Sequence, residues 1–282
     1  MEYKPYLPEC LRLAAQAGER ILQFYGDKQV RVVLKSDQSY VTEADWAAEA
    51  ILMTGLHSLN PEITVISEES PLPSLEIRKA LEYYWLIDPL DGTQEFLGQT
   101  DEFTVNISLM RGMRPILGVI YAPVLDLFYF ASATGGAYQQ HGMMGVPERI
   151  ETRSYSGQPG SVLQVVVSRR AQHSDMLQRL LVPFSKCSTV ELIVCGSALK
   201  FGWIAQGRAD LYLRLGPTGA WDTAAGHCIV QEAGGGVFDF TGLALQYPVG
   251  DVNASLLNPD FFAVGARDYP WREMLCQGLD PQ

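Results

Sequence analysis

Three apolar runs, at residues 104–110, 116–121 and 127–131, follow one another with only Arg111-Gly112 and the stretch around Pro123 as breaks. No other feature constrains the fold as strongly. Runs joined by so few residues pair antiparallel, because a parallel return needs a crossover of about a dozen residues or more. They therefore predict a meander, with further strands expected at 63–66 and 84–87. Two helices are expected before it. In 8–25, Leu11, Ala14, Ala15, Ile21 and Leu22 fall close to one face, Pro8 suits the first turn and Gly26 ends the helix. The second, at 42–59, stops at Asn60-Pro61. Thr42 and Asp45 stand three apart at its start, a capping-box arrangement with Asp in place of Glu.

Beyond about residue 155 the texture becomes alternating. Strands are expected at 164–167, 189–194, 210–215 and 237–240. Helices are expected at 174–181, 197–206 and 223–233, the last ended by Gly234-Gly235-Gly236. Such alternation predicts an α/β half. The stretch 154–159 is the expected boundary, dividing the chain into an α+β part at 1–155 with the antiparallel sheet and an α/β part at 156–282. A length of 282 residues has room for both.

Charge limits the partners. A net charge of −11 argues against nucleic acid or an anionic membrane as the main partner. It leaves room for an anionic small molecule, because bound divalent cations reverse the local field. Cys10, Cys187, Cys195, Cys228 and Cys276 are odd in number and form no CxxC pair, so reduced thiols and a cytoplasmic location are expected. The N-terminal residues lack the basic and apolar regions of a secretory leader. No stretch approaches the ~20 apolar residues that span a bilayer. Peripheral attachment to the cytoplasmic face of the inner membrane stays open.

The chemistry gathers on carboxylates at the ends of apolar elements. The run Trp85-Leu86-Ile87 leads into Asp88, Pro89 is expected to turn the chain, and Asp91 follows. Two carboxylates held at a strand end, with the Leu90 carbonyl between them, suit a hard cation such as Mg²⁺. Gly92 and Thr93 come where a helix would begin, and its N–H groups favour a phosphate oxygen. Read blandly, Asp91 is a helix N-cap, Glu68-Glu69 is a solvated pair ending another strand, and Asp222 caps the helix at 223–233. Each site is weak alone, and their joint occurrence is stronger. Asp45 is either a capping residue or the acceptor for the Thr93 hydroxyl, which would then orient an attacking water.

Together SEES (67–70), DPLDGT (88–93) and WDTAAG (221–226) resemble the inositol monophosphatase superfamily, in the family's order. EFTVNISL (102–109), PILGVIYAPV (115–124), GSALKF (196–201) and LYLRLGPTGAWDTAAGH (211–227) resemble its bacterial 3'(2'),5'-bisphosphate nucleotidase branch. The resemblance implies a layered αβαβα sandwich, with most metal ligands in the first part and the nucleotide contacts in the second. It implies that Glu68, Asp88, Asp91, Asp222 and the Leu90 carbonyl bind two or three Mg²⁺ ions. Asp45 and Thr93 would activate water, and Glu69 would lie near the metals. Ser197, Lys200 and Arg214 would contact a nucleotide bisphosphate that also meets Glu68, Leu90, Asp91, Gly92, Thr93 and Asp222.

The implied reaction is removal of the 3'-phosphate of adenosine 3',5'-bisphosphate, inhibited by lithium, in a monomer or dimer. The rivals are a phosphatase of inositol monophosphate or sugar phosphates, and a non-catalytic relative that has lost a metal carboxylate. Two positions depart from the family. Gln94 stands where it usually has Lys, and His173 in SRRAQH is displaced by an insertion, so an exposed helix-start position is preferred for it. Read without the family, Lys200 is a solvated helix residue and Arg214 a surface charge at a strand end.

Overall fold

A computed structural model describes residues 4–35, 38–251 and 256–278. The first three residues of the stretch read for a leader, and the outer ends of both expected sub-domains, lie outside them. Helix α1 (Leu7–Leu22) carries Pro8 in its first turn and buries Cys10, Leu13, Ala14, Ala17 and Ile21 along one stripe. It ends before the expected Tyr25, and the chain turns at Gly26. Strands β1 (Val32–Leu34) and β2 (Tyr40–Thr42) form a small antiparallel ribbon. Helix α2 (Glu43–Leu59) buries Ala44, Ala48, Leu52 and Leu56, each one turn apart. Thr42 caps it, and the expected capping box with Asp45 is present.

Strand β3 (Thr64–Ser67), helix α3 (Leu75–Ala80) and strand β4 (Tyr83–Asp91) form a crossover, so β3 and β4 run parallel. Helix α4 (Thr93–Leu97) follows. The meander then runs as expected through β5 (Thr104–Arg111), β6 (Arg114–Ala122) and β7 (Leu127–Ser132). It continues into β8 (Gly136–His141) and β9 (Glu148–Ile150), which complete a sheet ordered β3-β4-β5-β6-β7-β8-β9. Neither was expected: β8 reads GAYQQH, with little apolar signal, and β9 is three residues long.

The second half supplies β10 (Ser161–Val167), α5 (Asp175–Ser185), β11 (Ser188–Val194), α6 (Leu199–Ala205), β12 (Leu211–Arg214) and α7 (Ala224–Glu232). It closes with β13 (Gly236–Asp239), β14 (Phe261–Val264) and α8 (Trp271–Gln277). The sheet order is β11-β10-β12-β14-β13. Strand β10 is parallel to both neighbours, as the alternation predicts, whereas β14 pairs antiparallel on both sides.

Side-chain alternation along the strands stacks these elements into an αβαβα sandwich. In β4, Trp85 and Ile87 face α1 and α2 in one core, whereas Tyr84 and Leu86 face the central core with α6 and α7. In β10, Val166 joins the central core, and Leu163, Val165 and Val167 pack with Leu180, Phe184, Trp271 and Leu275 of the outermost helices. Gly118 of β6 allows α7 to lie close on the large sheet, since a Cβ there would fall 2.4 Å from the Ala225 carbonyl oxygen. Among the described residues no helix is long and apolar enough to cross a membrane.

Pro89 departs from expectation. It does not turn the chain out of the sheet, because β4 continues to Asp91. Pairing with β3 ends at Ile87, so beyond it only β5 accompanies β4. Along that edge a proline without an N–H is tolerated.

Candidate active site

The register of β4 sets the geometry. Asp88 lies opposite Asn106 and Asp91 opposite Thr104, with an irregularity between them. Three steps on β4 therefore match two on β5, so β4 holds one extra residue. Without that bulge, side chains three apart would point to opposite faces of the sheet; with it, both carboxylates share one face. The contacts agree: Asn106 Nδ2 donates to Asp91 Oδ2 at 3.2 Å and Thr104 Oγ1 to the same oxygen at 3.4 Å.

Glu68 leaves β3 beside the same point, its N–H donating to the Ile87 carbonyl at 3.2 Å. Asp222 arrives from the second half, one residue before the N-cap Thr223 of α7, and its Oδ2 accepts from the Gly219 N–H at 2.9 Å. It is thus not the N-cap of that helix. Nor does Asp91 cap α4, whose N-cap is Gly92. Carboxylate oxygens of Glu68, Asp88 and Asp222 lie within 4.8 Å of one another. Asp91 is held beside them by the Ala198 N–H, 2.6 Å from its Oδ2.

This arrangement fits a divalent cation. Asp88 is buried; its Oδ1 accepts from the Leu90 N–H at 3.1 Å, while its Oδ2 is buried with no hydrogen-bond partner. Such an orphan costs free energy unless something charged meets it. Burial and then Glu68 hold the Asp88 carboxyl well above the ordinary carboxylate range. Burial, Asp91 and Glu68 do the same for Asp222. Burial raises Asp91 to about 6, against the pull of Lys200 and Asn106. Repulsion and desolvation on this scale are what a bound Mg²⁺ relieves.

Asp45 serves two neighbours. Its Oδ2 accepts from the Thr42 N–H at 2.7 Å and the Thr42 hydroxyl at 2.6 Å, closing the capping box. Its Oδ1 lies 3.5 Å from the Thr93 hydroxyl, which is also 3.5 Å from the Leu90 carbonyl. The capping contacts and the Thr93 contact therefore coexist, one oxygen each. Burial lifts Asp45 to about 6, opposed by the Thr42 hydrogen bonds. Gly92 makes the turn from β4 into α4 at φ +93°, where a side chain would be strained.

Beside the carboxylates is a cavity of about 320 Å³, lined in part by Ser197, Lys200 and Arg214. It shares Asp91, Gly92, Gln94, Glu95, Arg214 and Asp222 with a smaller cavity of about 250 Å³ that reaches Glu68, Asp88, Leu90 and Thr93. Lys200 is not the solvated residue its helix suggested. It is 5% exposed, donates to the Ser197 and Cys195 carbonyls, and lies 5.4 Å from the Tyr212 ring centroid. Arg214 donates to the Pro217 carbonyl at 2.9 Å, and its Nε is buried without a partner. Ser197 adopts φ +44°, unusual for a residue with a side chain. His173 is exposed on a short 3₁₀ turn and lines neither cavity.

Several contributors escaped the sequence reading. Lys35, between β1 and β2, bridges Glu68 at 3.0 Å and Glu69 at 2.8 Å. Glu69, which the resemblance did place near the metals, is raised to about 7 by burial against the Lys35 hydrogen bond and completes that pair. Asn258 Nδ2 donates to the Gly219 carbonyl at 2.7 Å, and lies 3.0 Å and 3.1 Å from the hydroxyls of Thr223 and Thr218. It ties down the turn that presents Asp222. Lys35 and Asn258 sit in loops with no local signal. Thr104 and Asn106 did leave one: with Ser108 they alternate with Val105, Ile107 and Leu109, a polar face on a strand whose residues are buried up to Met110.

The model of the inositol monophosphatase family matches residues 4–269. The 3'(2'),5'-bisphosphate nucleotidase CysQ of Escherichia coli (strain K12) is 44% identical over 257 residues, covering 90% of this chain and 98% of that protein. The same-named protein of Salmonella typhimurium is 43% identical over 256 residues, again covering 90% and 98%. Among solved structures, CysQ from Bacteroides thetaiotaomicron, a bacterial member of the inositol monophosphatase family, superposes with a TM-score of 0.77 at 34% identity. It covers 92% of this chain and 97% of that one.

Proposed function

The chain belongs to the inositol monophosphatase family, and from that premise and the geometry above we propose that it is a magnesium-dependent 3'(2'),5'-bisphosphate nucleotidase. It removes the 3'-phosphate of adenosine 3',5'-bisphosphate, giving AMP and phosphate. The observation that carries the reading is the buried, partnerless Asp88 oxygen among Glu68, Asp91 and Asp222, on an acidic cavity that adjoins the larger one lined by Lys200 and Arg214. The named nucleotidases at 43% and 44% identity support the substrate class.

Glu68, Asp88, Asp91, Asp222 and the Leu90 carbonyl would hold two or three Mg²⁺ ions, which when bound supply charge to the phosphoryl oxygens and acidify water. The rest falls to this chain's own groups. The Thr93 hydroxyl, between Asp45 and the Leu90 carbonyl, accepts a proton from the attacking water and passes its own to Asp45 Oδ1. Attack is in line, and the ribose oxygen leaves on the opposite side of phosphorus and takes up a proton from solvent, to which Asp45 returns the one it received. Gly92 and Thr93 present backbone N–H groups to the phosphoryl oxygens, while Ser197, Lys200 and Arg214 contact the nucleotide. The same reading makes the protein a cytoplasmic monomer or dimer with no nucleic-acid partner.

A phosphate-release panel with Mg²⁺ tests the reading, comparing adenosine 3',5'-bisphosphate, inositol 1-phosphate and fructose 1,6-bisphosphate. The nucleotide is expected to have the highest kcat/KM. A higher value for either of the others refutes the assignment. A non-catalytic role is disfavoured because all four acidic ligand positions are filled.

A further inference from the structure

The turn between β11 and α6 reaches the site twice. Ser197 lines the larger cavity, and the Ala198 N–H meets Asp91 Oδ2 at 2.6 Å. That turn is not relaxed. Ser197 adopts φ +44°, and a residue with a side chain stays in such a conformation only where its surroundings fix it. Lys200 holds the carbonyls of Cys195 and Ser197. The N–H between them, that of Gly196, is held by Glu102, in the loop between α4 and β5. Glu102 Oε2 accepts from it at 2.8 Å and also accepts from Arg169 Nη2. The two halves of the chain press together at this point: a Cβ on Gly196 would fall 2.6 Å from Glu95 Cγ and 2.7 Å from the Glu102 carbonyl oxygen.

We propose that Glu102 is a positioning residue: from the first half it fixes the Gly196–Ala198 turn of the second, and through that turn it sets Asp91 for the metal and Ser197 for the substrate. Glu102 lines neither cavity, so it acts only through the turn. Its pairing with Arg169 is the lesser part. Those side chains are 22% and 37% exposed, and pairs open to water contribute little. The bond to the Gly196 N–H differs, because a charged acceptor there grips the backbone that carries both groups. This inference rests on the nucleotidase reading, which makes Asp91 a metal ligand and Ser197 a substrate contact.

The test compares wild type with two conservative variants. Glu102→Asp keeps the charge but draws the acceptor back by one C–C bond, about 1.5 Å. Glu102→Gln keeps the reach of the acceptor but removes the charge. Three quantities are measured: Mg²⁺ affinity by calorimetry, kcat and KM for adenosine 3',5'-bisphosphate, and exchange of the Gly196 and Ala198 amides in metal-free protein. Glu102→Asp should weaken Mg²⁺ binding and lower kcat by about tenfold each, and both amides should exchange faster. Glu102→Gln should stay within about threefold of wild type in every measurement. Wild-type values in Glu102→Asp overturn the inference while the nucleotidase reading stands. So does a Glu102→Gln variant more impaired than Glu102→Asp, since charge and not the Gly196 bond would then be responsible. A wild type that binds no Mg²⁺, or does not hydrolyse the bisphosphate, overturns both.

Discussion

Asp91→Asn separates charge from shape at the proposed metal site. Asp91 Oδ2 accepts from the Ala198 N–H, Asn106 Nδ2 and the Thr104 hydroxyl. An asparagine oxygen can take that place, with its NH₂ turned toward Glu68, Asp88 and Asp222. The carboxyl of Asp91 is raised from its ordinary 3.8 to about 6, chiefly by burial. A folded-state pKa above the unfolded one means that the folded protein binds the proton more tightly. Its contribution to stability is therefore full below about pH 4 and is lost as pH rises through about 6. At pH 8 without metal, the ionised group thus costs about 3 kcal/mol relative to a neutral one. Asparagine avoids that cost at every pH. In chelator at pH 8 the variant should melt several degrees above wild type, at about 2 °C per kcal/mol for a chain of this size. The gap should close near pH 4. With Mg²⁺ the order reverses: wild type gains stability by mass action, and the variant gains little and loses nearly all phosphatase activity. Differential scanning fluorimetry across pH, with and without Mg²⁺, reads all of this. A variant that melts well below wild type in chelator would refute the argument, because the charge would then be holding the fold together. So would activity that survives in it.

The other predictions touch separate parts of the site. Asn258→Ala removes the clamp on the 218–223 turn, so weaker Mg²⁺ binding by calorimetry and a kcat loss of about tenfold are expected, at a stability cost of about 1–3 kcal/mol. Unchanged Mg²⁺ affinity would reduce Asn258 to a structural role. Lys200→Ala and Arg214→Ala should each raise KM for adenosine 3',5'-bisphosphate by roughly ten- to a hundredfold, with much less effect on a substrate bearing one phosphate. Equal losses on both would assign them to the fold, as the buried Lys200 contacts with two carbonyls would then require. Lithium should inhibit in a way that depends on Mg²⁺ concentration; an effect no larger than that of sodium at matched ionic strength would contradict this.

The parts of the fold legible in the sequence are those in which local pattern and tertiary burial agree. Helix α2 shows its stripe and its cap in the chain itself, and β5 to β7 show their apolar runs and tight turns. Strands β8 and β9 were not legible, because a polar or very short strand takes its place from the neighbour it pairs with. The bulge in β4 was hidden for another reason. A proline after Ile87-Asp88 looks like a turn, and only the loss of the β3 partner beyond Ile87 lets the strand run on to Asp91.

The same distinction explains the site. The chain has 32 acidic residues, and local pattern says only that a few of them end apolar elements. What sets Glu68, Asp88, Asp91 and Asp222 apart is that three structural accidents coincide: a parallel β3–β4 pair, a one-residue bulge, and a turn from the second half clamped by Asn258. Each moves a carboxylate away from water and towards the others, against its own solvation. A fold that gathers like charges around a buried, partnerless oxygen is destabilised locally unless a proton or a cation neutralises them. Lys35 offers part of that balance by bridging Glu68 and Glu69, but it reaches neither Asp88 nor Asp222. The charge uncompensated at Asp88, and only partly offset at Asp222 by Arg214 and the Gly219 N–H, is therefore the physical reason for proposing a divalent cation there, independent of the motifs that first drew attention to them.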